Sequence, residues 1–212
     1  MESYRGKRFL DVAAVTLAAP FWVPVAAVIG VLVWSKLGRP ILFTQERIGY
    51  AGRPFRMRKF RTMLDDRDAA GNPLPDPERM TTFGRWLRGT SLDELPELLN
   101  VLAGDMSLVG PRPLLTRYLH RYSPRHQRRH LVRPGVTGLA QVMGRNALGW
   151  ADKFELDVTY VERCSLWLDI KVLFLTIRAV LVRDGVSAPG DTTAPEFTGY
   201  EPQSERGPRE GS

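Results

Sequence analysis

Two adjacent carboxylates, Asp93 and Glu94, stand in the stretch Ser91-Leu92-Asp93-Glu94-Leu95-Pro96, and Lys59, Arg61, Arg85, Arg88 and Arg112 supply cations on either side of it. An ionised aspartate can attack phosphorus and carry an acyl phosphate. A carboxylate can equally hold Mg2+ beside substrate phosphates. Phosphoryl transfer asks for both, together with cations that recognise the anion. A plainer reading competes. Ser91-x-x-Glu94 has the spacing of a capping box, with Ser91 as N-cap and Glu94 reaching back to its amide. Adjacent helical residues point about 100° apart, so both carboxylates address one atom only from a helix start or a distorted turn. Pro96 makes such a distortion available. On spacing alone capping is the stronger reading, and the surrounding cations move the balance toward phosphoryl chemistry.

Other candidates carry an alternative of their own. Arg112 lies between Pro111 and Pro113, so its backbone is stiff and its guanidinium is aimed in advance, which suits phosphate contact better than a loose surface ion pair. Arg145, in Gly144-Arg145-Asn146, has a similar standing. Lys59 and Arg61 share one strand face by period two, and phosphate contact or solvation fits either. Arg88 can clamp substrate or orient Asp93. His126 and His130 have the spacing of a metal pair, but no third ligand is evident, so a solvated basic face is the default. A face resting on anionic lipid headgroups is the sharper option. Cys164 is the only cysteine, which excludes an internal disulfide and a Cys-based metal site.

The elements that must position these groups follow from pattern. At 212 residues and a formal charge of +7, the chain is sized for one domain with anionic partners. Arg5, Lys7 and Arg8 precede Val12 to Trp34, 23 residues without a charge. As a helix this run reaches about 34 Å, near the hydrocarbon thickness of a bilayer. Pro20 and Pro24 interrupt it and predict kinks. If the helix spanned, the basic domain would lie on the side away from nucleotides. A kinked helix that enters and leaves by one face keeps both flanks cytoplasmic. Residues 37–63 read as a β-hairpin turning at Gly49 and Gly52, and Asp65 to Met80 as a mobile solvent loop. Thr81 to Leu102 read as helical, 114–131 as a basic helical segment, and 165–183 as an apolar helix whose four charges favour packing or an interfacial position over a span. The predicted class is α+β and mainly helical: a re-entrant anchor over 1–36, a cytoplasmic catalytic domain over 37–200, and a disordered polar tail over 201–212.

Beyond this the chain shows longer blocks. Ser91 to Pro96 continues into Asn100-Val101-Leu102-x-Gly104-Asp105-Met106-Ser107-Leu108-Val109-Gly110-Pro111-Arg112-Pro113. Lys7-Arg8-x-x-Asp11, Gly38-Arg39-Pro40-Ile41, Lys59-Phe60-Arg61-Thr62-Met63, Arg133-Pro134-Gly135-Val136-Thr137-Gly138 and Gly144-Arg145-Asn146 accompany them. With these blocks, over roughly residues 4–199, the sequence resembles the bacterial sugar transferase family, specifically its small monotopic polyprenyl-phosphate phosphoglycosyl transferases. The resemblance implies that Asp93 attacks the β-phosphate of a UDP-sugar, releases UMP, and passes the phosphosugar to undecaprenyl phosphate. It implies assistance from Glu94, Mg2+ as cofactor with Asp93 as its ligand, and a re-entrant helix at the inner membrane among membrane lipids. Where small members often carry Ser-Pro at the break, Val23 precedes Pro24 here. The block from Gly185 through Phe197 to Gly199 resembles members using UDP-N,N′-diacetylbacillosamine or a related amino sugar. The rival from another class is a membrane-tethered basic protein that binds nucleic acid, supported by the Arg/His segment and weakened by its lack of a recognition motif.

Overall fold

The computed structural model describes residues 3–144, 148–182 and 197–199. Helices α1 (Lys7–Leu17) and α2 (Ala19–Leu37) are followed by strands β1 (Leu42–Ile48) and β2 (Pro54–Phe60). Then come α3 (Asp76–Arg79), α4 (Thr82–Gly89), α5 (Glu97–Ala103), β3 (Ser107–Val109), α6 (Pro124–Gln127) and β4 (Gly135–Thr137). Three helices close the order: α7 (Leu139–Met143), α8 (Trp150–Arg163) and α9 (Leu166–Val182). This is the mainly helical α+β class read from the sequence.

The apolar N-terminal run breaks at a single residue, Ala18, into α1 and α2, two residues before Pro20, one of the two prolines expected to kink it. Pro20 falls in the first turn of α2, where its missing N–H costs nothing, and Pro24 lies inside the helix. The Trp22 indole donates to the Val15 carbonyl at 3.0 Å and ties the helices together at the break. Helix α2 is long and apolar enough to cross a membrane by length and composition. Leu17 and Phe21 at the junction are 79% and 78% exposed, while both outer ends are anchored. At the start of α1, Lys7 pairs with Asp169, Arg8 donates to the Val101 and Leu102 carbonyls, and Asp11 accepts from Ser107 Oγ and the Leu108 amide. Toward the end of α2, Ile29, Val33 and Leu37 pack on Phe60 and Leu87.

Strands β1 and β2 form the expected antiparallel hairpin, Leu42 opposite Phe60 and Ile48 opposite Pro54. Its connection needs two left-handed residues, Ala51 at φ 54° and Gly52 at φ 75°. The free edge of β2 is met by Asn100, which accepts from the Arg58 amide at 3.1 Å and donates to the Arg56 carbonyl at 2.8 Å. Buried polar groups need such partners, and this one fixes α5 to the hairpin.

Several expectations are corrected. The 65–80 loop is largely solvent-exposed, as expected, but it carries local structure: it holds α3, Leu64 and Arg79 are joined at 3.0 Å, and the Asp68 carboxylate accepts from the Ala70 and Asn72 amides. The helix expected over 81–102 is broken into α4 and α5. Residues 114–131 are a 3-10 turn at Thr116–Arg121, α6, and a second 3-10 turn at Arg128–Leu131. Pro124 starts α6 under a Ser123 cap and ends any longer helix. Helix α8 and the parallel pair β3–β4 are elements the sequence reading did not find. In β4, a Cβ at Gly135 would lie 2.1 Å from the Gly110 amide nitrogen, so the close pairing requires glycine there. Tyr118, Tyr122, Trp150, Phe154 and Phe197 form an aromatic cluster that seats α8 on the 116–131 segment, each good ring pair adding about 0.5–1.5 kcal/mol. The tail over 201–212 and Arg145 lie outside the described residues.

Candidate active site

The break between α4 and α5 builds the site. Thr90 Oγ1 donates to the Trp86 and Leu87 carbonyls and finishes α4. Ser91 then turns left-handed at φ 57°, a conformation that costs a non-glycine residue of order 1 kcal/mol or more. Leu92–Glu94 form one 3-10 turn, and Pro96 stands immediately before α5. Ser91 makes no side-chain cap, and the Glu94 carboxylate turns to Lys59 and Arg112. The capping-box reading is therefore overturned: a left-handed Ser91 cannot act as the extended N-cap that motif needs.

Lys59, from the end of β2, places Nζ 2.5 Å from Glu94 Oε1 and 3.1 Å from Glu97 Oε1. Arg112 reaches the same Glu94 oxygen at 3.0 Å. Arg88, from the last turn of α4, bonds Thr62 Oγ1 through Nε at 3.0 Å and bears on Asp93 by its charge. Asp93 is 7% exposed and Glu97 3%. Burial, then the neighbouring Glu94 charge, pushes the Asp93 carboxyl up to about 6 against the pull of Lys59, Arg88 and Arg112. Burial and Glu94 likewise raise Glu97. Burial works on Glu94 in the same direction, but Arg112 and Lys59 outweigh it and hold that carboxyl well below the usual range.

The structure thus brings together Asp93, Glu94, Lys59, Arg88 and Arg112 from the expected set. Arg61 is not with them. It is 8% exposed, its Nη1 donates to the Arg39 carbonyl at 2.9 Å beyond the end of α2, and its Nε and Nη2 have no partner among the described residues. Arg85 is spent on the start of its own helix, at the Met80 carbonyl and Thr82 Oγ1. Glu97 was missed, although its spacing of four from Asp93 and three from Glu94 puts it on their side of a helical path. The basic 114–131 segment is solvated in part, with Arg117, His120 and Arg125 exposed, but it is also paired with α8. Arg125 and Arg128 pair with Glu155 and Glu162 of α8, Arg129 is buried on Asp157, and His126 bonds Glu155 at 2.8 Å. No group of three His, Cys, Asp or Glu able to hold a metal occurs among the described residues.

The sequence profile described as bacterial sugar transferase matches residues 2–183. The chain belongs to the bacterial sugar transferase family. Among similar members, an uncharacterized sugar transferase of Bacillus subtilis is 55% identical over 168 residues, 79% of this chain and 83% of that one. The UDP-glucose:undecaprenyl-phosphate glucose-1-phosphate transferase of Caulobacter vibrioides is 41% identical over 191 residues, covering 84% of this chain and 70% of that one. An Aeromonas hydrophila enzyme named for transferring N-acetylgalactosamine phosphate from its UDP form to undecaprenyl phosphate is 37% identical over 187 residues. That match takes 84% of this chain but only 44% of the relative, so this sugar transferase spans less than half of that protein. Membership bears out the resemblance and the expectation of an enzyme.

Proposed function

We propose that this sugar transferase moves a sugar 1-phosphate from a UDP-sugar to undecaprenyl phosphate, through a covalent intermediate on Asp93. The observation that carries the reading is a buried carboxyl on a distorted turn, close enough to Lys59, Arg88 and Arg112 for their charges to bear on it. An Asp93 oxygen attacks the β-phosphorus; the bond from that phosphorus to the bridging oxygen breaks, and UMP leaves with the electron pair. An oxygen of the acceptor phosphate then attacks the same phosphorus, the Asp93–phosphorus bond breaks, and the free carboxylate returns. The relatives named for undecaprenyl phosphate support the two substrates.

Glu94, held ionised by Arg112 and Lys59, is better placed to aim those cations than to collect a proton. Mg2+ takes one or two carboxylates plus phosphate oxygens, and Asp93 beside Glu94 fits an ion shared with the donor better than a cage of protein ligands. Asp93 would hold it, and when bound it would neutralise diphosphate charge. In this reading residues 1–36 anchor the chain in the inner membrane and 37–200 form a catalytic domain on its cytoplasmic face. The docking of the start of α1 and the end of α2 on one body, with an exposed apolar junction between them, supports re-entry. Most of the segment that suggested a diacetylated amino sugar, 185–199, lies outside the described residues. The test is UMP release from a panel of UDP-sugars, including diacetylbacillosamine, N-acetylgalactosamine, glucose and galactose, with undecaprenyl phosphate and Mg2+. Turnover with none of them would overturn the reading.

A further inference from the structure

Arg112 is aimed by more than its flanking prolines. Its carbonyl accepts from Arg129 Nη2 at 2.7 Å, and the preceding Pro111 carbonyl accepts from the Gly135 amide at 3.0 Å. Arg129 is 2% exposed and lies outside the catalytic cluster. Asp157 Oδ2 takes its Nε at 3.0 Å and its Nη2 at 2.7 Å, and the Tyr122 hydroxyl accepts from Nη1 at 3.1 Å. The guanidinium also lies against the Tyr122 and Phe154 rings, 5.5 and 5.3 Å from their centroids, which themselves meet edge to face. One nitrogen, Nη2, therefore joins a buried carboxylate of α8 to the backbone of the residue that grips Glu94. Behind the loop is a cavity of only about 10 Å3, lined by Pro111, Arg112, Pro113, Arg129 and His130 among others. That is about the room of a single water. Burying an ion pair costs desolvation that a hydrophobic pair would not.

We infer that Arg129, locked by Asp157 and Tyr122, is a positioning residue for the transfer: it sets the Arg112 peptide and so the aim of the Arg112 guanidinium at Glu94 and the donor phosphates. The inference rests on the function proposed above. Displacing a positioned group by about 1 Å can cost up to about a hundredfold in rate. Arg129→Lys keeps the charge and loses the fork; Tyr122→Phe keeps the ion pair and loses one contact.

The test is steady-state kinetics of full-length variants with UDP-sugar and undecaprenyl phosphate, following UMP. Arg129→Lys is expected to raise the donor KM roughly tenfold with the acceptor KM unchanged, and Tyr122→Phe roughly twofold. In an Arg112→Ala background each second substitution should change donor kcat/KM by less than about twofold, because the group it aims is gone. A purely structural role predicts the opposite: lower apparent kcat in proportion to unfolded protein, unchanged donor KM, and losses that add to Arg112→Ala. Either unchanged donor KM or additivity would overturn the inference; should Arg129→Lys fail to fold, Tyr122→Phe decides on the same criteria. Absence of UMP release by the wild-type chain counts against the function instead.

Discussion

Two ionic clusters built from the same kinds of side chain behave in opposite ways. At the base of α1, the Asp169 carboxylate receives Lys7 and Tyr4 on one oxygen and Tyr160, at 2.7 Å, on the other. Asp11 nearby receives Ser107 Oγ and the Leu108 amide. Each carboxylate has its own donors, and the cluster is a clasp joining α1 to β3 and α9. At the break between α4 and α5, three carboxylates lie within five residues and draw on shared cations, with Lys59 divided between Glu94 and Glu97. Glu94 takes the ionised state, and Asp93 and Glu97 are pushed up. The difference is stoichiometry. A carboxylate with its full set of donors is at rest, whereas one crowded by a like charge gains when it meets an electrophile or a cation.

The comparison breaks first at Asp93. Asp93→Asn is expected to lower UMP release by roughly a thousandfold or more while thermal melting stays near wild type, because the substitution relieves like-charge crowding. Activity within tenfold of wild type would remove Asp93 from the chemistry. The clasp should show the reverse. Lys7 and Asp169 have side-chain exposures of 5% and 7%, and removing one partner of a buried pair costs about 3 kcal/mol or more. Lys7→Met should lose about that much in denaturant unfolding and keep its turnover per folded molecule. Unchanged unfolding would mean that the tyrosine hydroxyls alone satisfy Asp169.

What was legible in the sequence divides along the same line. The hairpin, α9 and the apolar N-terminal run announce themselves because their signals are local: alternation, or a long apolar stretch with few or no charges. Asp93, Lys59, Arg88 and Arg112 were legible as a set because charge types can be counted. Their geometry was not. The break at Ser91 depends on a left-handed residue that no local rule assigns to serine. The pairing of the 114–131 segment was hidden because its acid partners, Glu155, Asp157 and Glu162, lie 28 to 34 residues away on α8. Arg61 shared a strand period with Lys59 on paper, but β2 ends at Phe60 and the alternation lapses one residue too early.

Protonation sharpens the comparison further. On the proposed mechanism Asp93 must be ionised to attack, and burial pushes its carboxyl up to about 6. Turnover should therefore rise with pH as that carboxyl ionises and then level off, the limb centring near 6 or, where Mg2+ on Asp93 favours the ionised form, lower. Lys59 is one of the cations pulling that carboxyl down, so Lys59→Met should move the acid limb to higher pH, by roughly one unit. A limb that stays put or moves down would mean that another group controls it. The clasp, by contrast, should contribute nothing to this limb in Lys7→Met.

The smallest effect is expected at Glu97, and it is the finest test of crowding. Burial and Glu94 hold its carboxyl up to about 7, above the roughly 4.3 of an unperturbed glutamate. Between those values the folded protein binds more protons than the unfolded chain, so stability falls as pH rises through that window. Glu97→Gln mimics the protonated form and removes this slope. At pH 6 the variant should match wild-type turnover within about twofold, and at pH 8 it should be the more stable by roughly 1 kcal/mol. The check is a pair of unfolding curves at the two pH values. A variant less stable at both would make Glu97 an ordinary ion-pair partner of Lys59, and the crowding would then reduce to Asp93 and Glu94 alone.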